Sequence, residues 1–142
     1  MLGIILASHG ELVYGLKDTY TMVAGDLPEN VKIISLRADS DAESFKKEFH
    51  ELIKGFGNIS GLVILTDLEG GTPYNTACTY FYDPEFKIET EVIAGINFPM
   101  LLEAVESLET EKSAAKAAEN ILNAARESIK KAEIILEEDD EF

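Results

Sequence analysis

Four short strand candidates, each followed by a helical segment, constrain this chain more than any other feature. Leu2–Ala7 is apolar without polar alternation, as a strand covered on both faces must be, and Leu12, Leu16, Tyr20 and Val23 then recur at helical spacing. Val31–Leu36 is the next strand, followed by a helix over Ala42–Lys54 whose Phe45, Phe49 and Leu52 share a face. Leu62–Leu65 is the third strand, and Tyr74, Ala77, Cys78 and Phe81 give the helix after it one packing stripe. A fourth strand, Lys87–Ala94, leads through Gly95–Ile96–Asn97 into a helix starting near Pro99. Strands alternating with helices favour right-handed crossovers, which cover both faces of a parallel sheet. The expected class is therefore α/β, an open, doubly wound, mostly parallel sheet.

The last third reads differently. Ala114, Ala118, Ile121, Ala125 and Ile129 lie near helical periodicity within Glu111–Lys131, which is predicted to be helical. Ala132–Glu138 fits either the end of that helix or a short edge strand, because Ile134–Ile135–Leu136 satisfies both patterns. Residues 1–136 form the expected single domain, and 137–142 an acidic tail. That tail supplies five acidic residues, so without it the formal charge of -15 becomes -10 and the rest of the chain is still acidic. Such a charge repels phosphate backbones and disfavours nucleic-acid binding. The single cysteine, Cys78, excludes an intrachain disulfide and is too few for an iron–sulfur or structural zinc cluster. No apolar run approaches the ~20 residues needed to span hydrocarbon, and the start lacks a signal-peptide pattern, so the expected location is the cytoplasm.

Chemistry concentrates at two strand ends. Ala7–Ser8–His9–Gly10 lies between the first strand and the first helix. In open α/β sheets the loops after the carboxyl ends of strands gather at one edge, near a topological switch point. Position alone leaves His9 open between a functional and a structural histidine. The second segment, Thr66–Asp67–Leu68–Glu69–Gly70–Gly71–Thr72–Pro73–Tyr74–Asn75, follows the third strand. Thr72 suits an N-cap and Pro73 the first helical position, while Gly70 and Gly71 permit a close or left-handed backbone path. The backbone donors at such a helix start can receive an anion, or the segment is an ordinary tight turn. Asp67 either holds the protonated ring nitrogen of His9, exposing the other nitrogen's lone pair for phosphoryl attack, or caps local amides without touching it. The first alternative requires strands one and three to be neighbours.

Three ordered segments, Leu2–Gly10, Leu65–Asn75 and Ala94–Leu101, together resemble the signatures of bacterial mannose-family IIA proteins of the sugar phosphotransferase system, over about residues 1–130. The resemblance implies that strands one and three are adjacent, that His9 carries a phosphoryl group, that Asp67 supports its imidazole, and that the Gly71–Thr72 turn surrounds the phosphoryl oxygens. It implies phosphorylated HPr as donor, a cognate IIB protein as acceptor, a membrane sugar permease reached only through IIB, and no metal or nucleotide cofactor. It also implies a homodimer, with Ala132–Glu138 as the candidate for an exchanged antiparallel edge strand. Two positions depart from the family pattern: Glu69, where an aromatic is common, and Thr72, where serine is common. The second keeps a hydroxyl; the first adds charge beside a docking surface.

Two other readings stand beside this one. A dihydroxyacetone-kinase phosphotransfer subunit resembles the same fold and His/Asp chemistry but delivers to a nucleotide-bearing kinase subunit. A noncatalytic interaction domain would use His9 only for local hydrogen bonding. His50 is expected on the polar face of the second helix and Cys78 in a packing role, neither as a ligand or nucleophile. Asn97, Phe98, Pro99 and Met100 are expected to start a helix.

Overall fold

The computed structural model describes residues 1–136. Its elements are β1 (Leu2–His9), α1 (Leu12–Ala24), β2 (Val31–Leu36), α2 (Ala42–Lys54), β3 (Gly61–Thr66), α3 (Thr72–Tyr82), β4 (Glu89–Ala94), α4 (Phe98–Thr110) and α5 (Ala114–Ser128). The four strands form one parallel sheet in the order β2-β1-β3-β4. The expected α/β class and the adjacency of strands one and three both hold. After β1 the chain adds β2 on one side, and it then crosses to add β3 and β4 on the other. The strand order therefore reverses between β1 and β3, whose carboxyl ends flank the switch point.

Side chains alternate across a strand, so the unbroken apolar run of β1 feeds two cores. Leu2, Ile4 and Leu6 join Val63 and Leu65 of β3 beneath α1, α4 and α5, where Val13, Tyr20, Met100, Leu101 and Ile121 are buried. Ile5 and Ala7 join Leu62 and Ile64 on the opposite face, against Phe45 and Phe49 of α2 and Ala77 of α3. This double covering is why neither central strand shows polar alternation.

Two packing stripes differ from the periodicity. In α1 the buried residues are Val13 and Tyr20, with Leu16 packed beside them, while Leu12 and Val23 are exposed. In α3 the inward residues are Pro73, Thr76 and Ala77, and Phe81 is exposed with Cys78 half-buried, so Cys78 lies at the margin of the core. The long carboxyl-terminal helix expected over Glu111–Lys131 is also corrected. α4 runs to Thr110 and α5 starts only at Ala114, capped twice: the Ser113 hydroxyl accepts from the Lys116 amide at 3.2 Å, and Glu89 of β4 accepts from the Ala114 and Ala115 amides at 2.7 and 3.1 Å. Residues 129–136 are neither helix nor strand, and Ile129, Ile134, Ile135 and Leu136 are exposed. The end of the Ala132–Glu138 segment and the acidic tail lie outside the described residues. Asn97 starts α4 as expected, its side chain accepting from the Met100 amide at 2.9 Å.

Candidate functional site

β1 is buried along its whole length except for its last residue, His9. Parallel pairing aligns Ala7 with Thr66, so the residues that follow, Ser8–His9 and Asp67, emerge side by side at the switch point. The Asp67 carboxylate closes the gap between them. One of its oxygens, Oδ2, accepts from the His9 amide at 3.0 Å and lies 2.8 Å from Nδ1 of the His9 ring. The His9 side chain is 45% exposed, whereas that of Asp67 is only 15% exposed. The alternative in which Asp67 serves only local amides does not describe this geometry.

The carboxylate fixes the ring's proton. Burial by itself would push the Asp67 carboxyl up, but the hydrogen bonds from the His9 amide and ring, with the attraction of the His9 charge, hold it below the ordinary carboxylate range. An ionised carboxylate has no hydrogen to donate, so Nδ1 must carry the proton of the pair, and the lone pair of a neutral ring resides on Nε2.

Nε2 lies against the start of α3. A Cβ built on Gly71 would stand 2.7 Å from Cε1 and 3.4 Å from Nε2 of His9, so this edge of the ring rests on a glycine because no larger residue leaves it room. Gly71, with extended backbone, is the N-cap of α3; Thr72 is its first helical residue and Pro73 its second, so the helix starts one residue earlier than the sequence suggested. The two glycines thus divide the work: Gly70, at φ +87°, makes the left-handed turn, and Gly71 admits the ring. The Gly71 amide is already engaged, donating to the Leu68 carbonyl at 3.1 Å. Among the described residues the amides of Thr72 and Tyr74 and the Thr72 hydroxyl take no hydrogen bond, which leaves them, with the positive end of the α3 dipole, as the donors available to an anion at Nε2.

Sequence reasoning missed the supports behind His9. The buried Ser8 hydroxyl accepts from the Val13 amide at 3.2 Å and ties the first turn of α1 to β1. Gly10 adopts φ +59°, and its amide donates to the Leu36 carbonyl at 2.9 Å, while its carbonyl accepts from the Ser35 hydroxyl of β2. Arg37, just beyond, pairs with Glu11 and stacks 4.9 Å over the Tyr14 ring, and the Glu11 carboxylate pushes the guanidinium pKa up. Glu69 and Leu68 are exposed beside the site, and Leu12 is exposed on its other side. His50 is remote from all of this, its Nδ1 3.3 Å from the Tyr80 hydroxyl.

A cleft of about 650 Å³ between β2 and α2 is lined by Tyr14, Ser35, Arg37 and Lys47 and does not include His9 or Asp67. His9 is instead 45% exposed, with the exposed Leu68 and Glu69 following Asp67, a geometry that suits approach by a macromolecule better than enclosure of a small substrate.

Known proteins are similar to this chain in sequence and fold. The family model described as PTS system fructose IIA component matches residues 3–122. The fructose-specific EIIA component of Bacillus subtilis is 26% identical over 105 residues, which cover 74% of this chain and 69% of that protein. The mannose-specific EIIAB component of Escherichia coli K12 is 29% identical over 129 residues, 91% of this chain but 39% of that longer protein. The crystal structure of the phosphotransferase system component EIIA from Streptococcus agalactiae superposes with a TM-score of 0.83 at 25% identity, over 92% of this chain and 97% of the other.

Proposed function

This chain belongs to the fructose- and mannose-type IIA family of the PTS, the sugar phosphotransferase system, and on that premise we propose that it is a cytoplasmic phosphoryl carrier that takes its group from phosphorylated HPr onto Nε2 of His9 and passes it to a cognate IIB protein. The observation that carries the reading is the His9–Asp67 pair at the switch point, joined through Nδ1, with the His9 side chain 45% exposed. In the forward step the Nε2 lone pair attacks phosphorus, the bond between phosphorus and the donor nitrogen breaks, and its electron pair stays with the donor. The Nδ1 proton does not leave; Asp67 stabilises the positive charge that the ring gains on phosphorylation. We assign the phosphoryl oxygens to the Thr72 and Tyr74 amides and the Thr72 hydroxyl, which take no hydrogen bond among the described residues, so catalysis is orientation and electrostatics. Gly71 contributes room for the ring, since its amide is already occupied.

The decisive experiment incubates the protein with phosphorylated HPr and then adds IIB or a dihydroxyacetone-kinase subunit in separate reactions. His9→Ala should take no phosphate while keeping its circular-dichroism spectrum. Stoichiometric phosphorylation of that variant on another residue would overturn the assignment of the nucleophile, and delivery to the kinase subunit alone would replace IIB as acceptor.

The same family premise supports a homodimer in which the segment from Ala132 pairs with the open edge of β4 in a second copy. β4 pairs only with β3 among the described strands, and Ile134, Ile135 and Leu136 are exposed apolar residues of the kind an exchanged strand would cover. Scattering that finds a monomer at working concentrations would remove this part of the reading.

A further inference from the structure

We infer that Ser35 of β2 is a positioning residue for His9, an inference that rests on the proposed phosphocarrier role. Nothing lies within 4 Å of a Cβ placed on Gly10, so its glycine answers a backbone demand, φ +59°, and not a lack of space. That turn sets the direction in which the chain leaves His9 for α1, and both backbone groups of Gly10 are held from β2. Its amide donates to the Leu36 carbonyl at 2.9 Å and its carbonyl accepts from the Ser35 hydroxyl. Ser35 is 7% exposed and pairs in register with Ser8, so its hydroxyl is a buried polar group on the edge strand β2, and its partner is this one carbonyl.

His9 is consequently tethered from two strands. Asp67 holds its amide and ring from the β3 side, while from the β2 side the Leu36 carbonyl holds the His9–Gly10 peptide and the Ser35 hydroxyl holds the next one, Gly10–Glu11. With Asp67 alone, the ring could swing about the line joining its amide and Nδ1 while keeping both hydrogen bonds. The tether to β2 removes that freedom and keeps the Nε2 edge of the ring against Gly71 at the start of α3. Displacement of reacting atoms by about 1 Å costs on the order of 10²-fold in rate, so a partial loosening is expected to show as roughly tenfold.

The test compares the full chain with Ser35→Ala, which removes the donor while fitting the same space, and Ser35→Thr, which keeps a hydroxyl on the same carbon. Two readouts are taken: ring-nitrogen chemical shifts of His9 with hydrogen exchange of the Gly10 amide, which need no partner, and single-turnover acceptance of phosphate from phosphorylated HPr. Ser35→Ala is expected to speed Gly10 exchange and shift the His9 ring signals, and to slow phosphate acceptance about tenfold at a nearly unchanged melting temperature. Ser35→Thr is expected to restore all three. Parent-like ring signals and Gly10 exchange in Ser35→Ala would overturn the tether, and so would a slower transfer that Ser35→Thr leaves unrestored. A parent protein that takes no phosphate on His9 would overturn the functional reading instead, and with it the assignment of a positioning role, whatever the ring spectrum shows.

Discussion

Substituting Gly71 by alanine adds one methyl group where the His9 ring now lies. The backbone of Gly71, at φ -77° and ψ 168°, is ordinary extended geometry that alanine adopts freely, so no backbone strain is introduced. Alanine is a somewhat poorer N-cap than glycine, a loss of roughly 0.5–1 kcal/mol at most. The steric effect falls on His9: the new Cβ would stand 2.7 Å from Cε1, and ordinary contact begins at 3.4 Å, so the ring must retreat by at least about 0.7 Å. That retreat is comparable with the 1 Å misplacement that costs on the order of 10²-fold, so phosphate acceptance should fall roughly 10- to 100-fold. Rapid-quench transfer from phosphorylated HPr, run beside thermal melting and a His9 ring spectrum, separates rate from stability. A Gly71→Ala protein that melts like the parent and accepts phosphate at the parent rate would refute either the contact or the claim that ring position limits transfer.

Asp67→Asn should cut transfer by about 10²-fold while binding of the donor protein persists, because a neutral amide fills the space but cannot hold the phosphorylated ring's charge; equal losses in rate and binding would argue against this role. The depressed carboxyl of Asp67 also carries an acid signature. Its contribution to stability is fully present above the unfolded value near ~4 and is lost as pH falls through the lower folded value, so parent and Asp67→Asn melting temperatures should converge in acid; a gap unchanged down to pH 2 would contradict the shift. Glu89→Ala removes the acceptor shared by the Ala114 and Ala115 amides and should lower stability by about 1 kcal/mol without slowing transfer, as measured by melting and the same quench assay.

The sheet was legible because its central strands are buried on both faces, a condition only unbroken apolar runs such as Leu2–Ala7 satisfy. The helix faces were less so. Of the expected stripe Tyr74, Ala77, Cys78 and Phe81, Ala77 is buried as expected, but Pro73 and Thr76 join it in place of the others, since a short helix entering through Gly71 has its rotation set by the loop and not by its most apolar arc. The break before α5 was hidden for another reason. No proline or glycine marks it, and one of its two caps is Glu89, a residue from β4 that becomes a neighbour only after folding. His9 and Asp67 were readable as strand-end residues, and their pairing followed once strands one and three were neighbours. The Ser35 tether was not, because a serine inside Ile33–Leu36 carries no local sign of which carbonyl it will meet.

The burial of β1 and β3 also orders the ways in which this molecule can open. Every residue of β3, and all of β1 up to Ser8, is covered on both faces, and each of these strands has a hydrogen-bonded neighbour on either side. Amides in such strands exchange with solvent only when the whole domain unfolds, whereas loops and helix ends exchange through small local fluctuations. His9 and Asp67 are attached at the last points of that slowest-opening unit. Fraying at the end of α5 or over residues 129–136 can therefore come and go without disturbing the alignment of Nε2, and whatever adjustment an encounter demands falls to the Leu68–Gly70 turn and to the visiting protein.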